Sequence, residues 1–253
     1  MRGLDHNRLA SAIYGLAGVI LFLLLWEFIG RNRVLGSTWP AFTDVVSYLF
    51  DPRRNGLFQR ASTATLSKAA GGFALGTFLG LVTASGVHVF PLLRPGTDRL
   101  SSFLHSVPAI ALAPIFLIFV PRDFVGMAIA TMNAYFIVYI AATSGLNNST
   151  KSHRDVFTVL GASRLHRLTL LDLPAALPPV VTGLKYAVSA AIVGAIIGEW
   201  FGASRGLGVL IVSAMQNYQI SLLWAAVLII TVVSLVFYGL GTLAEKFIYR
   251  RFT

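Results

Sequence analysis

Few residues of this chain have the types and the spacing that covalent chemistry requires. Its five histidines lie at positions 6, 88, 105, 153 and 166, and neither a His-Glu-x-x-His run nor a nucleophile–base pair accompanies them. The sequence contains no cysteine, which excludes disulfides, thiolate zinc sites and thiol nucleophiles. A G-x-x-x-x-G-K-[ST] run, whose backbone would hold the phosphates of a nucleotide, is absent as well. We therefore expect a chain that is not an enzyme and that itself holds neither a metal nor a cofactor.

Polar residues within apolar stretches are the remaining candidates, because an ionisable group in lipid is costly and usually functional. Glu199 ends a long apolar run and could belong to a gate in a transport pathway; it could equally pair with Arg205 or reach the membrane interface. Lys68 and Lys185 lie near the ends of apolar runs, and we expect their side chains to extend towards the interface.

A second group of candidates occupies the middle of the chain. His105, Ser106 and Pro108 could line a cavity, although a single histidine is more often a hydrogen-bonded packing residue. Asn133 could line the same cavity or bond to a neighbouring helix, which is the commoner use of such a residue. Groups of this kind could hydrate or coordinate a small polar substrate on its route through a membrane.

The composition indicates which elements must position these residues. Hydrophobic residues make up 56% of the 253-residue chain and charged residues only 12%, with a mean hydropathy of +0.74. Water could not wet so weakly charged a surface, so we predict an all-α, polytopic membrane protein surrounded by lipid. The net charge of +10 could suggest nucleic acid, but no basic run is interleaved with aromatic residues. We expect no nucleic-acid partner.

Six apolar segments are long enough for a bilayer crossing, which takes about 20 residues. They cover residues 11–30, 66–90, 101–120, 124–146, 178–201 and 222–244 of a single transmembrane domain, residues 1–253. The third contains Pro108 and Pro114, which are tolerated where a helix faces protein or a cavity. Gly76 and Gly80 form a small-xxx-small pair in the second, which predicts the close approach of another helix.

Two further segments are apolar but too short to cross. Residues 40–50 predict an amphipathic helix that lies on the outer interface. Residues 204–218 predict either a plain outer helix or a partly inserted one, and we expect Gly206 and Gly208 to allow a tight turn there.

The basic residues set the predicted orientation, because Lys and Arg gather in cytoplasmic loops. With both termini cytoplasmic, the outer loops after the third and fifth segments hold only Arg122 and Arg205. The cytoplasmic side then holds Arg2, Arg8, Arg94, Arg99, Lys151, Arg154, Arg164, Arg167, Lys246, Arg250 and Arg251. One outer loop departs from the rule, since it carries Arg31, Arg33, Arg53, Arg54 and Arg60.

The longest cytoplasmic loop on this topology, residues 147–177, has the pattern of two short amphipathic helices. Gly161 separates them and can take the positive φ of a sharp turn. We expect Pro174 to end the second helix. An ordered cytoplasmic loop is usually an interaction surface.

The same loop carries a family resemblance. Gly161, nine further residues and then Leu171-Asp172-Leu173-Pro174 resemble the G-x9-I-x-L-P half of the EAA signature of the membrane subunits of binding-protein-dependent ABC importers. Six residues before the glycine, Asp155-Val156-Phe157 keeps the acid of the signature and loses both alanines. The runs Val107–Pro114 and Gly198–Gly208 extend the likeness to the subgroup that imports taurine, alkanesulfonates, nitrate, bicarbonate or thiamine-precursor pyrimidines.

The resemblance implies a permease of the bacterial inner membrane that pairs with a second copy of itself. It implies as partners two cytoplasmic ATPases, which bind the ATP and Mg, and a soluble or lipid-anchored substrate-binding protein. It places residues 204–218 in an outer gate. The implied ATPase-coupling residues are Asp155, Gly161, Ala162, Ser163, Arg164, Arg167, Leu173 and Pro174, and the pathway candidates are His105, Ser106, Pro108, Asn133, Glu199 and Arg205.

Two other classes remain as alternatives. An ion-coupled secondary transporter would need several buried acids near the middle of the membrane, and often an inverted repeat. A membrane-embedded enzyme would need a catalytic constellation within a span. The sequence shows neither pattern.

Overall fold

The computed structural model describes the backbone of residues 2–252 and the side chains of residues 10, 13–150 and 152–251. Helices and turns make up this part of the chain, without any strand, which confirms the predicted all-α class. The α-helices of residues 2–252 are α1 (Arg2–Arg31), α2 (Phe42–Leu49), α3 (Asn55–Val89), α4 (Arg94–Ser106), α5 (Ala109–Phe119), α6 (Arg122–Leu146), α7 (Lys151–Val159), α8 (Arg164–Arg167), α9 (Leu173–Glu199), α10 (Leu207–Gln216) and α11 (Ile220–Phe252).

Five helical segments of the described residues are long and apolar enough to cross a membrane. They are Ile13–Arg31, Pro52–Val89, Arg122–Leu146, Arg164–Glu199 and Ile220–Arg251. A sixth crossing exists only if α4 and α5, which are separated by a bend, count as one span.

The predicted third span, residues 101–120, is therefore not a straight helix. α4 and α5 meet at 101°. Pro108 has no N–H to donate and disfavours a helical conformation in the residue before it, so α4 ends at Ser106 and α5 begins at Ala109. Pro114, in contrast, lies inside α5 without ending it. With 11 residues, α5 is about 16 Å long, roughly half the thickness of the hydrocarbon core.

Helices α3, α6 and α9 form the centre of the molecule and pack through small residues. A Cβ atom added at Gly76 would overlap the carbonyl oxygen of Thr131, and one added at Gly198 would overlap the backbone of Gly126. The predicted close approach at Gly76 and Gly80 is confirmed, and larger side chains there would force the helices apart. Buried alanines fill the rest of this seam: Ala69, Ala130, Ala134, Ala187, Ala191 and Ala195.

Helix α1 is attached to the rest of the molecule near one end. Most of its side chains from Ile13 onward are exposed, as expected for a helix in lipid. Trp26 is buried, and its ring centroid lies 5.1 Å from that of Trp224 and 5.9 Å from that of Trp39. Its Nε1 donates a hydrogen bond to the carbonyl oxygen of Pro40 at 3.1 Å. Aromatic contacts thus hold α1 against α11 and the loop before α2.

The short helix predicted within residues 40–50 is present as α2. Its Val45 is fully buried in a cluster that includes Phe58 and Ala225. The backbone N–H of Thr43, in its first turn, donates to the Glu27 carboxylate at 3.0 Å. α2 is therefore packed against α3 and α11, while its place at the outer interface stays a prediction.

Candidate functional site

The connecting segment, which we define as residues 147–172 between α6 and α9, is ordered by helix caps. The Thr150 hydroxyl accepts the backbone N–H of the third residue after it, at 3.4 Å, at the start of α7. Ser163 does the same at the start of α8, at 3.2 Å. Between the two helices Gly161 has a φ of +68°, as predicted. The chain therefore makes a sharp turn between α7 and α8.

The prediction that Pro174 ends the second short helix is wrong. α8 continues through a π-helical segment, Leu168–Asp172, directly into α9. Pro174 falls in the first turn of α9, where the wider π segment already interrupts the regular hydrogen-bond pattern and the missing N–H is tolerated. The result is one helical run from Arg164 to Glu199.

Asp172 is fully buried and organises the connecting segment. Nε2 of His88, near the end of α3, lies 2.7 Å from one carboxylate oxygen, and the Ser149 hydroxyl donates to the other at 2.7 Å. Nε of Arg167 lies 3.5 Å from the oxygen that faces His88. A buried carboxylate is stable only with such partners. Asp172 thus joins α3, the start of the connecting segment and the start of α9 at one point.

Two further arginines extend this cluster. Arg154 donates to the Ser149 hydroxyl at 2.7 Å and to the carbonyl oxygen of Leu146 at 3.3 Å. Arg164 donates to the carbonyl oxygen of Val89, at the end of α3, at 3.2 Å. Arg164 and Arg167, both predicted to contact an ATPase, therefore have partners within their own chain.

An apolar surface remains exposed beside this cluster. Val159 and Leu160, at the end of α7, are 87% and 75% exposed. Neither was predicted as a coupling residue; of those that were, Asp155 and Leu173 are exposed and Ala162 is half-buried. Their contact with an ATPase stays a prediction, and the structure supplies an ordered, partly apolar surface for it.

A second buried carboxylate lies at the other end of α9. Glu199, 1% exposed, accepts hydrogen bonds from Nζ of Lys68 at 3.0 Å, the Thr65 hydroxyl at 2.9 Å and the backbone N–H of Gly208 at 2.9 Å. The Thr65 hydroxyl oxygen also accepts the N–H of Leu207, at 2.8 Å. This cluster joins α3, α9 and the first turn of α10.

The ion pair expected between Glu199 and Arg205 is wrong, because Glu199 is paired with Lys68. The expected extension of Lys68 towards the membrane interface stays a prediction. Arg205 contributes its carbonyl oxygen, which accepts a hydrogen bond from Nζ of Lys68 at 2.7 Å. Of the two glycines expected to allow a tight turn, Gly206 has a positive φ of +150° in the loop before α10. Gly208 lies within α10, where a Cβ would crowd the carbonyl oxygen of Ile196.

Lys185, the second lysine expected to extend towards the membrane interface, is paired with an acidic residue of α11. Its Nζ donates to the Glu245 carboxylate at 2.7 Å, and the rings of Tyr186 and Tyr238 lie 4.9 and 5.1 Å away. The Thr182 hydroxyl also bonds to Glu245. These contacts join α9 to α11.

The remaining pathway candidates lie on different surfaces. His105 is exposed and stacks on Phe136 with ring centroids 3.8 Å apart, and Ser106 and Pro108 are exposed at the α4–α5 bend. The Asn133 side chain donates to the carbonyl oxygen of Ala190 at 3.2 Å, so it links α6 to α9. A role for these residues in a pathway stays a prediction.

The part of the chain that holds the connecting segment also matches a known family in sequence. Residues 76–252 match the binding-protein-dependent transport system inner membrane component family. The chain belongs to this family of ABC importer permeases. The match covers α4 to α11 and the last 14 residues of α3, so the Asp172 cluster of this permease lies inside it, while Thr65 and Lys68 of the Glu199 cluster come before it.

Several relatives are similar along most of the permease. An ABC transporter permease of Haemophilus influenzae is 30% identical over 245 residues, which are 90% of this chain and 94% of that one. The formylaminopyrimidine transport permease ThiX of Halalkalibacterium halodurans is 28% identical, with 75% and 76% of the two chains covered. The bicarbonate transport permease CmpB of Synechococcus elongatus is 27% identical, with 91% and 87% covered.

A solved structure supports the fold. The inward-facing MetNI methionine ABC transporter contains a chain that superposes on this permease with a TM-score of 0.69 at 18% identity. The superposition covers 79% of this chain and 99% of that chain. It shows a shared arrangement of helices.

Glu199 could be recognised as a candidate from the sequence, but the residues that bind it and the role of Asp172 were not predicted. Two signals were present in the sequence. Asp172 is the only charge in the apolar run from Leu168 to Pro174, and His88 comes at the end of a predicted span. Thr65 gave no signal, because a threonine in an apolar helix is common.

Proposed function

We propose that this permease and a second copy of it form the pathway of an ATP-driven importer for a small polar solute. Two ATPase subunits would bind the connecting segments, and a soluble or lipid-anchored binding protein would deliver the solute. The observation that carries the proposal is the connecting segment itself, whose exposed apolar residues Val159 and Leu160 stand beside a cluster anchored by buried Asp172. Exposed apolar residues of this kind suit the docking of another protein. The buried Asp172 cluster would transmit a force on this surface to the rest of the permease.

The helical run that starts in the connecting segment gives the proposed mechanism its physical basis. A displacement of α7 and α8 would pass along the continuous run Arg164–Glu199, because a helix resists bending where a flexible loop would not. Thr65, Lys68 and Gly208 bind Glu199 at its far end, so the displacement would reach α10. Closure of the ATPases on ATP would thereby turn the pathway from inward-facing to outward-facing.

The orientation belongs to the same proposal. With both termini in the cytoplasm, the connecting segment faces the ATPases, and Glu199 with α10 faces the binding protein. The excess of Lys and Arg on the side of the connecting segment supports this orientation.

The class of solute is inferred from relatives. ThiX is named for formylaminopyrimidine, CmpB for bicarbonate and another relative, RibX of Chloroflexus aurantiacus, for riboflavin. All are small polar molecules. We infer a solute of this kind, organic rather than inorganic, such as a pyrimidine or a sulfonate.

Reconstitution tests the proposal against the ion-coupled alternative. The permease would be placed in liposomes with its ATPase, the binding protein and the solute that this binding protein retains. We expect uptake that needs ATP and that ceases with an ATPase variant unable to hydrolyse it. Uptake by the permease alone, driven by an imposed membrane potential, would refute the proposal.

A further inference from the structure

The five arginines of the first outer loop, which depart from the charge rule, differ in their surroundings. Arg31 pairs with Glu27, and Arg54 pairs with Asp51 at 2.7 Å. These two charges are neutralised locally. The other three, Arg33, Arg53 and Arg60, form no ion pair among the side chains that the structure describes.

Arg60 differs from the other unpaired arginines because it lines a cavity. The cavity measures about 370 Å³ and lies between α3, the loop after α9 and α10. Arg205 lines the same cavity and also forms no ion pair among the described side chains. Ser204 supplies a hydroxyl to this cavity. The remaining wall is apolar and is formed by Leu57, Ala61, Val209 and Leu210, with Gly206 beside them.

The neighbouring carboxylates are already engaged. Glu199 accepts hydrogen bonds from Lys68, Thr65 and Gly208, and Asp123 accepts both the N–H and the hydroxyl of Ser204, at 2.8 and 2.7 Å. Both Ser204 bonds reach the same Asp123 oxygen, and neither carboxylate forms an ion pair with Arg60 or Arg205 among the described side chains. Like charges that share a cavity repel each other unless an anion lies between them.

The loop that carries Arg205 is held in place by hydrogen bonds. The carbonyl oxygen of Arg205 accepts a hydrogen bond from Nζ of Lys68 at 2.7 Å, and the preceding residue, Ser204, donates to Asp123. On the other side Gly206 has a φ of +150°, and a Cβ there would overlap the Glu199 carboxylate. A loop fixed on both sides holds the backbone of Arg205 in one place before any ligand arrives, so binding would have to order only its side chain.

We propose that this cavity binds a small organic oxyanion. The guanidinium groups of Arg60 and Arg205 would hold the charged head, because the guanidinium fork matches the oxygens of a carboxylate, sulfonate or phosphate. The wall of Leu57, Val209 and Leu210 would cover a short apolar tail. The volume suits a ligand of this size. Its source is either the transported solute, an assignment that rests on the proposed function, or the head group of an anionic lipid.

Binding of methanesulfonate to the purified full-length chain tests the site without any ATPase. Titration calorimetry in phosphatidylcholine nanodiscs should show saturable binding. We expect Arg60→Gln and Arg205→Gln each to weaken it about tenfold or more, because each removes half of the charge on the cavity wall. Arg53→Gln is the matched control, since Arg53 is exposed and unpaired in the same loop and does not line the cavity. It should bind as the wild type does.

Nanodiscs that also contain phosphatidylglycerol separate the two sources. Methanesulfonate binding that persists there identifies a solute site. Retention of phosphatidylglycerol by the wild type, lost in Arg60→Gln and Arg205→Gln and kept in Arg53→Gln, identifies a lipid head-group site. Either result supports an oxyanion site. The proposal is overturned if neither anion binds saturably, or if the three variants behave alike. Such a failure leaves ATP-dependent uptake untouched, so it is distinct from a failure of the proposed function.

Discussion

Asp172 has no access to water, so its charge depends on His88, Ser149 and Arg167. Asp172→Asn removes that charge and leaves these partners without a carboxylate. We expect a loss of about 3–5 kcal/mol of unfolding free energy, as for other broken buried pairs, visible as a lower thermal midpoint in detergent. Asp155→Asn, at an exposed position of α7, is the control and should melt like the wild type. Equal midpoints for the two variants would contradict the role of Asp172.

Glu199 allows a sharper test because its partner can be changed with it. Glu199→Gln leaves Lys68 buried without its carboxylate, so we expect less folded protein in the membrane and a lower thermal midpoint. The double variant Lys68→Met, Glu199→Gln removes both charges and should recover part of that loss. If Glu199→Gln folds normally and reduces only uptake, Glu199 acts in the pathway rather than as an anchor for α10.

These residues also show where sequence reasoning reaches its limit. An acid in an apolar run marks a site, so Glu199 could be found from the sequence. Its partner could not, because Lys68 lies 131 residues earlier and meets it only through the packing of α3 against α9. Arg205, only six residues away, was the nearer candidate, but it forms no ion pair with Glu199 and lines the cavity between α3 and α10.

At the scale of elements, the turn between α7 and α8 depends on one backbone conformation. No atom lies within 4 Å of a Cβ built at Gly161, so a substitution there acts through φ and not through a clash. Gly161→Val should strain the turn by about 1–2 kcal/mol and reduce stimulation of the ATPase by the loaded binding protein. Gly161→Asn, which tolerates this conformation, should keep the stimulation. The lever role is refuted if the valine variant is stimulated normally.

Helix α3 offers a comparison of two glycines. Gly76→Ala would push a methyl group against the backbone of α6, and overpacking of this kind costs about 1–3 kcal/mol. A Cβ at Gly86 meets nothing within 4 Å, so Gly86→Ala should gain up to about 1 kcal/mol from helix propensity. Thermal midpoints of the two variants should therefore move in opposite directions. A Gly76→Ala variant as stable as the wild type would argue against a tight seam.

The elements themselves could largely be predicted from the sequence. Apolar segments of about 20 residues usually form a helix in a bilayer, because a helix satisfies all of its backbone hydrogen bonds internally. The bend at Pro108 and the continuation through Pro174 were harder to foresee, because the same residue type ends a helix in one place and is accommodated in the other. The difference lies in the π segment before Pro174, which has no clear sequence signal.

At the scale of the whole molecule, orientation is the property that most needs a measurement. The chain has no cysteine, so single cysteines can be introduced without background labelling. Val159→Cys and Tyr218→Cys suit this purpose, since both positions are 87% exposed. In right-side-out vesicles a membrane-impermeant maleimide should label position 218 and spare position 159, and inverted vesicles should give the reverse. Labelling of position 159 from outside would overturn the proposed topology.

The seam of glycines and alanines constrains how this permease can change shape. Because the backbones of α3, α6 and α9 touch there, these helices have no room to slide past one another. We expect them to move as one rigid unit, which the contacts of Asp172 hold together at one end and those of Glu199 at the other. Conformational changes should then occur in the helices around this unit, such as α5, where Ile118 and Phe119 are each 77% exposed. We therefore expect the proposed change of access to rotate these three helices together, without bending any of them.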